Sequence, residues 1–407
     1  MDRNYNLGLD GGDGALDGTE GTVAFEALVE SGDAAEPLPD HEVDPEQGLL
    51  VFYTSGTTGL LKGVVISHRA WIARGDNYVV DFDVQSGDCQ LSWTPLFHIV
   101  SANWLPTIAS VGGIYYPIDG FETARIVEIL QEDGGIGWFV LLFGVVGQLL
   151  ESMDEHNVDL NTFREIRNIG ALVHLIDLKK VEQVTELFDM PFKNSYGAME
   201  VSNVLSAANV VPFDVRPGPE ELAKVESSWV DLKLIDEDWN EDEGHGELAV
   251  RRPVVCSGYF KNPEANRADF EDGWFRTGDI FEHNDDGTYS FVNRRKYLIK
   301  SGGENIYPAE IEDVLLENGL VEEAIVVRVP DEKWGEVPRA VVATHEPDEL
   351  DAEDLLAAVE ERFANYKLPH YVNVVTPDVL PRSETGKIVR EDVQAWNLDP
   401  DERIREV

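Results

Sequence analysis

Apolar and polar positions along this chain follow two rhythms, and the switches between them mark its elements. Leu49 to Tyr53 and Gly63 to Ile66 are short apolar runs bounded by turn residues, which predict a buried strand, a tight loop and a second buried strand. Ser67 stands where a hydroxyl caps a helix containing Trp71 and Ile72. Gln90 to Thr94 predicts a strand that ends at Pro95, Leu96, Phe97 and His98. Glu122 to Leu130 predicts a helix with Ile126, Ile129 and Leu130 on one face, and Val181 to Phe188 predicts another. The apolar run from Trp138 to Leu150 is shorter than the roughly 20 residues of a membrane-spanning helix and reads as a core element. Helices alternating with apolar strands indicate a layered α/β domain.

The texture changes from Trp229 onward. Val230 to Ile235 and Gly246 to Arg251 predict strands around an acidic turn, and Tyr289 to Val292 a further strand. Arg294, Arg295 and Lys296 follow as a dense basic cluster, where a domain boundary is placed. Beyond it a small α+β unit is expected. Its helices are Pro308 to Leu316, with proline in the first turn, and Asp351 to Phe363, with Leu355, Leu356, Val359 and Phe363 at helical spacing. Its strands are Glu323 to Val329, Arg339 to Thr344 and Tyr371 to Val375. Residues 1–48 are weakly patterned, with glycine turns and a short helix at Phe25 to Val29. The expected division is thus 1–48, 49–296 and 297–407.

Composition narrows the function. The 407 residues carry 78 acidic against 32 basic side chains, a net charge of −46, which speaks against nucleic acid and anionic membranes as partners. A hydrophobic fraction of 43% excludes a disordered acidic chain. The acids are spread along the chain, as suits a salt-rich cytosol, where a Debye length of about 3 Å near 1 M screens self-repulsion. A cytoplasmic location and a salt requirement are expected. Cys89 and Cys256 are far apart and without metal spacing, so both are expected as reduced thiols.

Five stretches carry candidate chemistry. Thr54, Ser55, Gly56, Thr57, Thr58 and Gly59, followed by Lys62, read either as a solvated hairpin or as a polyphosphate cradle of backbone N–H groups, hydroxyls and one cation. The spacing is not that of the common P-loop. Ser195 to Glu200 offers Tyr196 for a base, Gly197 for close approach and Glu200 for Mg²⁺, or else a surface turn. Trp274 to Asp279 presents a carboxylate suited to ribose hydroxyls. Ser301 to Pro308 places Gly302 and Gly303 after the basic cluster, as a groove floor or a plain turn. Pro381 to Lys387 ends in a lysine on a glycine turn.

Taken in order, these stretches together with Gly258, Tyr259 and Phe260 resemble the core motifs of the adenylate-forming superfamily, which includes acyl- and aryl-CoA synthetases. The resemblance spans about Leu49 to Arg390. It implies a large layered α/β N-terminal domain and a small mobile α+β C-terminal domain. It further implies that Thr54 to Gly59 and Lys62 hold the β- and γ-phosphates of ATP, that Tyr196 and Gly197 contact adenine and that Glu200 binds Mg²⁺. Asp279 and Arg294 match the ribose binders, and Gly302 and Gly303 the pantetheine tunnel of coenzyme A. Lys387 matches the lysine that bridges the substrate carboxylate and the α-phosphate. His98, with Phe97, borders the acyl pocket and is counted with Lys387 and Glu200 as a catalytic candidate. Amino-acid-activating relatives carry an aspartate there, so the expected substrate is an apolar carboxylic acid, fatty or aryl. The implied reaction is activation to an acyl adenylate and transfer to coenzyme A. Transfer to a carrier protein and a non-catalytic, nucleotide-binding paralogue are the alternatives.

Departures from the pattern are Leu61 for a proline, Met199 for a threonine, Tyr297 for a hinge aspartate and a single glycine in Ile169-Gly170-Ala171. The stretch before Leu49 is shorter than the family's, which leads to the expectation of a truncated start or of completion by a second copy or a partner chain.

Overall fold

The computed structural model describes residues 5–6, 23–24, 42–53, 62–131, 135–141, 145–155, 165–171, 178–190, 192–207, 223–383 and 387–396. Two compact units, Met1–Asp44 and Pro45–Val407, divide the chain. In the first, Tyr5–Asn6 and Val23–Ala24 pair as parallel strands. The helix expected at Phe25 to Val29 lies outside the described residues.

The second unit is built on an eleven-stranded mixed sheet. Its parallel part runs Phe139–Val140, Ile169–Ala171, Phe192–Ala198. From there the order continues antiparallel through Ser202–Ala207, Lys224–Glu226, Tyr289–Arg294, Trp274–His283, His245–Arg251 and Asp231–Ile235 to Glu241–Asp242, with the short strand Phe270–Glu271 also pairing with Trp274–His283. Helices Thr123–Leu130, Val145–Glu155 and Leu178–Phe188 accompany the parallel strands, as crossover connections require. The expected apolar run from Trp138 thus divides into a strand and a helix. Phe82, Trp104, Trp138 and Phe139 centre one core, and Ile66, Tyr196, Val250 and Phe281 a second.

The hairpin Gly48–Tyr53 and Gly63–Ser67 packs on the second core. The latter strand is buried as expected, but the former is not. Only Leu50 and Phe52 turn inward, while Leu49, Val51 and Tyr53 are exposed, because successive side chains of a strand point to opposite faces. Ser67 caps helix His68–Asp81 by accepting from the Ala70 N–H.

A smaller sheet follows the basic cluster. Its order is Glu304–Ile306, Ile299–Ser301, Gly335–Ala343, Glu323–Asp331, with Tyr371–Val375 parallel to Gly335–Ala343. Helices Pro308–Leu316 and Ala352–Glu360 close a third core over it. The architecture is therefore mixed α/β, a large N-terminal part with a small C-terminal α+β part. Cys89 and Cys256 are buried free thiols. Among the described residues no helix is long and apolar enough to cross a membrane.

Candidate active site

Tyr53 pairs with Gly63, so the hairpin brings together the two ends of the presumed phosphate loop. Thr54, Ser55, Gly56, Thr57, Thr58 and Gly59 lie outside the described residues. Lys62 is described, and its ammonium is engaged: it pairs with Asp269 at 2.9 Å and lies 4.5 Å over the ring of Tyr259. Asp269 ends a helix, Pro263–Asp269, that Asn262 caps. The same Tyr259 donates its hydroxyl to Glu200 at 3.1 Å. Burial raises the Glu200 carboxyl above its ordinary value, and the nearby charges of Arg294 and Lys62 oppose the rise.

Glu200 is fixed from below by a residue with no motif. Arg74, fully buried on helix His68–Asp81, donates to the Glu200 carbonyl and to the Val254 carbonyl, both at 2.8 Å. The Cys256 N–H also donates to the Glu200 carbonyl. Burial lowers the Arg74 guanidinium to about 10. The only hint in the sequence is an arginine among Ala70, Ala73, Asn77 and Tyr78, the buried stripe of that helix.

Strand pairing creates the centre of the site. Asp279 and Arg294 are opposite residues of adjacent strands. Asp279 is only 2% exposed, and its two oxygens accept from Tyr196 at 2.6 Å and Arg294 at 2.7 Å. Burial first, then the Asp279 charge, raises the Tyr196 phenol well above its usual range, while Asp279 raises the Arg294 guanidinium. The Tyr196 ring is buried edge-on against Phe281, 4.8 Å between centroids. Its hydroxyl is thus taken up by Asp279, and its ring belongs to the second core. Gly197 likewise serves its own hairpin: a Cβ there would lie 2.2 Å from the Ser202 carbonyl.

Lys387 arrives from the far end of the chain. The Ser383 N–H donates to its carbonyl, and the Val389 N–H to that of Pro381, closing the loop at its base. The residue is exposed. Even so, the surrounding protein strips enough water to lower its ammonium to about 8, helped by the positive charges of Arg294, Lys296 and Arg390 and opposed by Asp279. Lys387 makes no ion pair with a described residue.

Three expected residues have structural tasks here. His98 caps helix Ile99–Val111, its Nδ1 accepting from the Val100 N–H at 3.3 Å. That bond needs the neutral ring, which burial favours by lowering the His98 pKa. Gly302 and Gly303 form the two-residue turn of a hairpin, both with positive φ (59° and 94°), and Gly302 packs against Trp334.

Among the described residues no group of three His, Cys, Asp or Glu side chains could hold a metal unaided. Mg²⁺ commonly takes one or two carboxylates and completes its shell with phosphate and water, so the single Glu200 carboxylate is a fitting donor.

The chain matches the model of the AMP-binding enzyme over residues 13–260 and that of the AMP-binding enzyme C-terminal domain over residues 310–387. The chain belongs to the AMP-binding enzyme family. It is 34% identical to an indoleacetate–CoA ligase of Aromatoleum aromaticum over 379 residues, 92% of this chain and 72% of the relative. A feruloyl-CoA synthase of Amycolatopsis is 32% identical, over 89% of this chain and 72% of the relative. Among solved structures, the O-succinylbenzoate coenzyme A synthetase of Bacillus subtilis in complex with AMP superposes with a TM-score of 0.76 at 29% identity, over 92% of this chain and 74% of that one. This AMP-binding enzyme is accordingly an AMP-forming ligase of the acyl-CoA synthetase type. It activates an acid with ATP as the acyl adenylate and forms the coenzyme A thioester.

Proposed function

We propose that the acid is an apolar carboxylic acid, aryl or fatty, and that the residues above divide the chemistry as follows. ATP lies with its β- and γ-phosphates on Thr54 to Gly59 and Lys62 and its ribose at Asp279 and Arg294. Glu200 would hold Mg²⁺, which supplies charge neutralisation between the phosphates. Lys387 bridges the substrate carboxylate and the α-phosphate, so two anions can approach. A carboxylate oxygen then attacks the α-phosphorus and pyrophosphate departs. In the second step a coenzyme A thiol, admitted past Gly302 and Gly303, attacks the acyl carbon and AMP departs, with the thiol proton released to solvent.

One observation carries this reading. Lys387, more than 300 residues along the chain from Lys62, sits within the electrostatic reach of Asp279 and Arg294, and Arg294 and Lys62 in turn act on Glu200. The apolar preference is supported by exposed Leu96 and Phe97 beside His98, and by relatives whose names specify indoleacetate and ferulate. The acidic surface supports a working medium of high salt. The test is acid-dependent pyrophosphate release and thioester formation on free coenzyme A, at high salt, across aryl, fatty and amino acids. Release with amino acids alone, or transfer only to a carrier protein, would refute it.

A further inference from the structure

The three-residue turn that follows Arg294 is gripped by the helix that follows Lys387. Glu391, the second residue of helix Arg390–Gln394, accepts from the Lys296 ammonium and the Tyr297 hydroxyl, each at 3.2 Å. Its neighbour Arg390 lies 4.7 Å over the Tyr297 ring and forms a two-pronged pair with Glu312 at 2.6 and 3.1 Å. Arg390 is thus anchored within the small domain, on helix Pro308–Leu316, whereas Glu391 reaches the turn itself. Lys387 and Glu391 are only four positions apart, and Arg294 and Lys296 only two. The Glu391 bonds therefore tie the segment that carries Lys387 to the turn that follows Arg294.

We propose that Glu391 is a positioning residue for Lys387: by binding Lys296 and Tyr297 it fixes the foot of the Pro381–Val389 loop beside Arg294 and neutralises the cation next to the site. This deepens the reading of Lys387 as the adenylating cation and rests on it. The charged groups facing Lys387 are Asp279 and Arg294 from the large sheet, Lys296 from the turn and Arg390 from the following helix. Of these, Lys296 is the one that Glu391 binds directly. Without that carboxylate, Lys387 is both less well placed and harder to keep protonated.

The test separates the two half-reactions in the full-length enzyme. Glu391→Gln should lower ATP–pyrophosphate exchange on the order of tenfold. It should leave thioester formation from supplied acyl adenylate unchanged, and it should move the basic limb of the exchange profile to lower pH. Tyr297→Phe, which removes one hydroxyl, should act in the same direction more weakly. Added to Lys387→Ala, Glu391→Gln should cost nothing further. A second readout needs no turnover: acetic anhydride labelling of Lys387, followed by mass spectrometry across pH, should reach its midpoint at lower pH in Glu391→Gln. Equal loss in both half-reactions, additivity with Lys387→Ala, or an unmoved labelling midpoint would overturn the proposal. A shifted midpoint in an enzyme that exchanges with no acid would support the positioning and refute the function assigned to Lys387.

Discussion

Lys387 makes the strongest quantitative demand on this site. Its ammonium sits near 8, where an ordinary lysine lies at 10.5. If the cation must be present for the carboxylate to meet the α-phosphate, adenylation by the free enzyme tracks the protonated fraction. By simple titration about nine-tenths is protonated at pH 7 and about one-tenth at pH 9, so kcat/KM for ATP should fall about tenfold between them. The limb in kcat should lie higher, because bound triphosphate adds negative charge beside the ammonium. The assay is ATP–pyrophosphate exchange at constant high salt from about pH 6 to about pH 10, with Lys387→Arg as the variant that should lose the limb. A profile flat to pH 10 in an enzyme that Lys387→Ala nonetheless silences would refute the argument. The same shift has a stability sign. Between about 8 and 10.5 the unfolded chain holds more protons than the folded one, so stability rises with pH through that window and the penalty is present in full below it. Lys387→Ala should therefore raise the melting temperature at pH 7 while abolishing adenylation.

Other perturbations are independent of that lysine. Arg74→Met should cost about 3 kcal/mol in denaturant titration, since two backbone carbonyls lose their guanidinium donor, and it should weaken the Mg²⁺ binding proposed for Glu200. Gly302→Ala should destabilise by about 1–3 kcal/mol, because φ is 59° and the added Cβ would lie 2.7 Å from the Trp334 ring; circular-dichroism melts would measure it. Lowering salt from about 2 M to about 0.1 M, where the Debye length reaches about 10 Å, should unfold the chain at fixed temperature, and a melting point indifferent to salt would count against the charge argument.

The local part of the fold was legible where the signal was local. Proline in the first turn marked the start of helix Pro308–Leu316, and the run Tyr371 to Val375 was expected as the strand it forms. The run from Leu49 to Tyr53 misled because an apolar stretch does not say whether one face or two is covered. For the candidate site, motif order indicated Asp279 and Arg294, and strand register placed them opposite one another. Their company was not legible. Asp269 on Lys62, Arg74 under Glu200 and Glu391 on Lys296 are pairings across roughly 95 to 207 residues of chain, and no pattern in a single sequence encodes them. The Tyr196 hydroxyl on Asp279 is a further pairing of this kind, across 83 residues.

In a chain this acidic, cations are scarce and each one near the site has a carboxylate companion: Lys62 with Asp269, Arg294 with Asp279, Lys296 with Glu391, Arg390 with Glu312. Lys387 is the exception among them. Among the described residues, an incoming anion would thus find in Lys387 a cation that no carboxylate already holds.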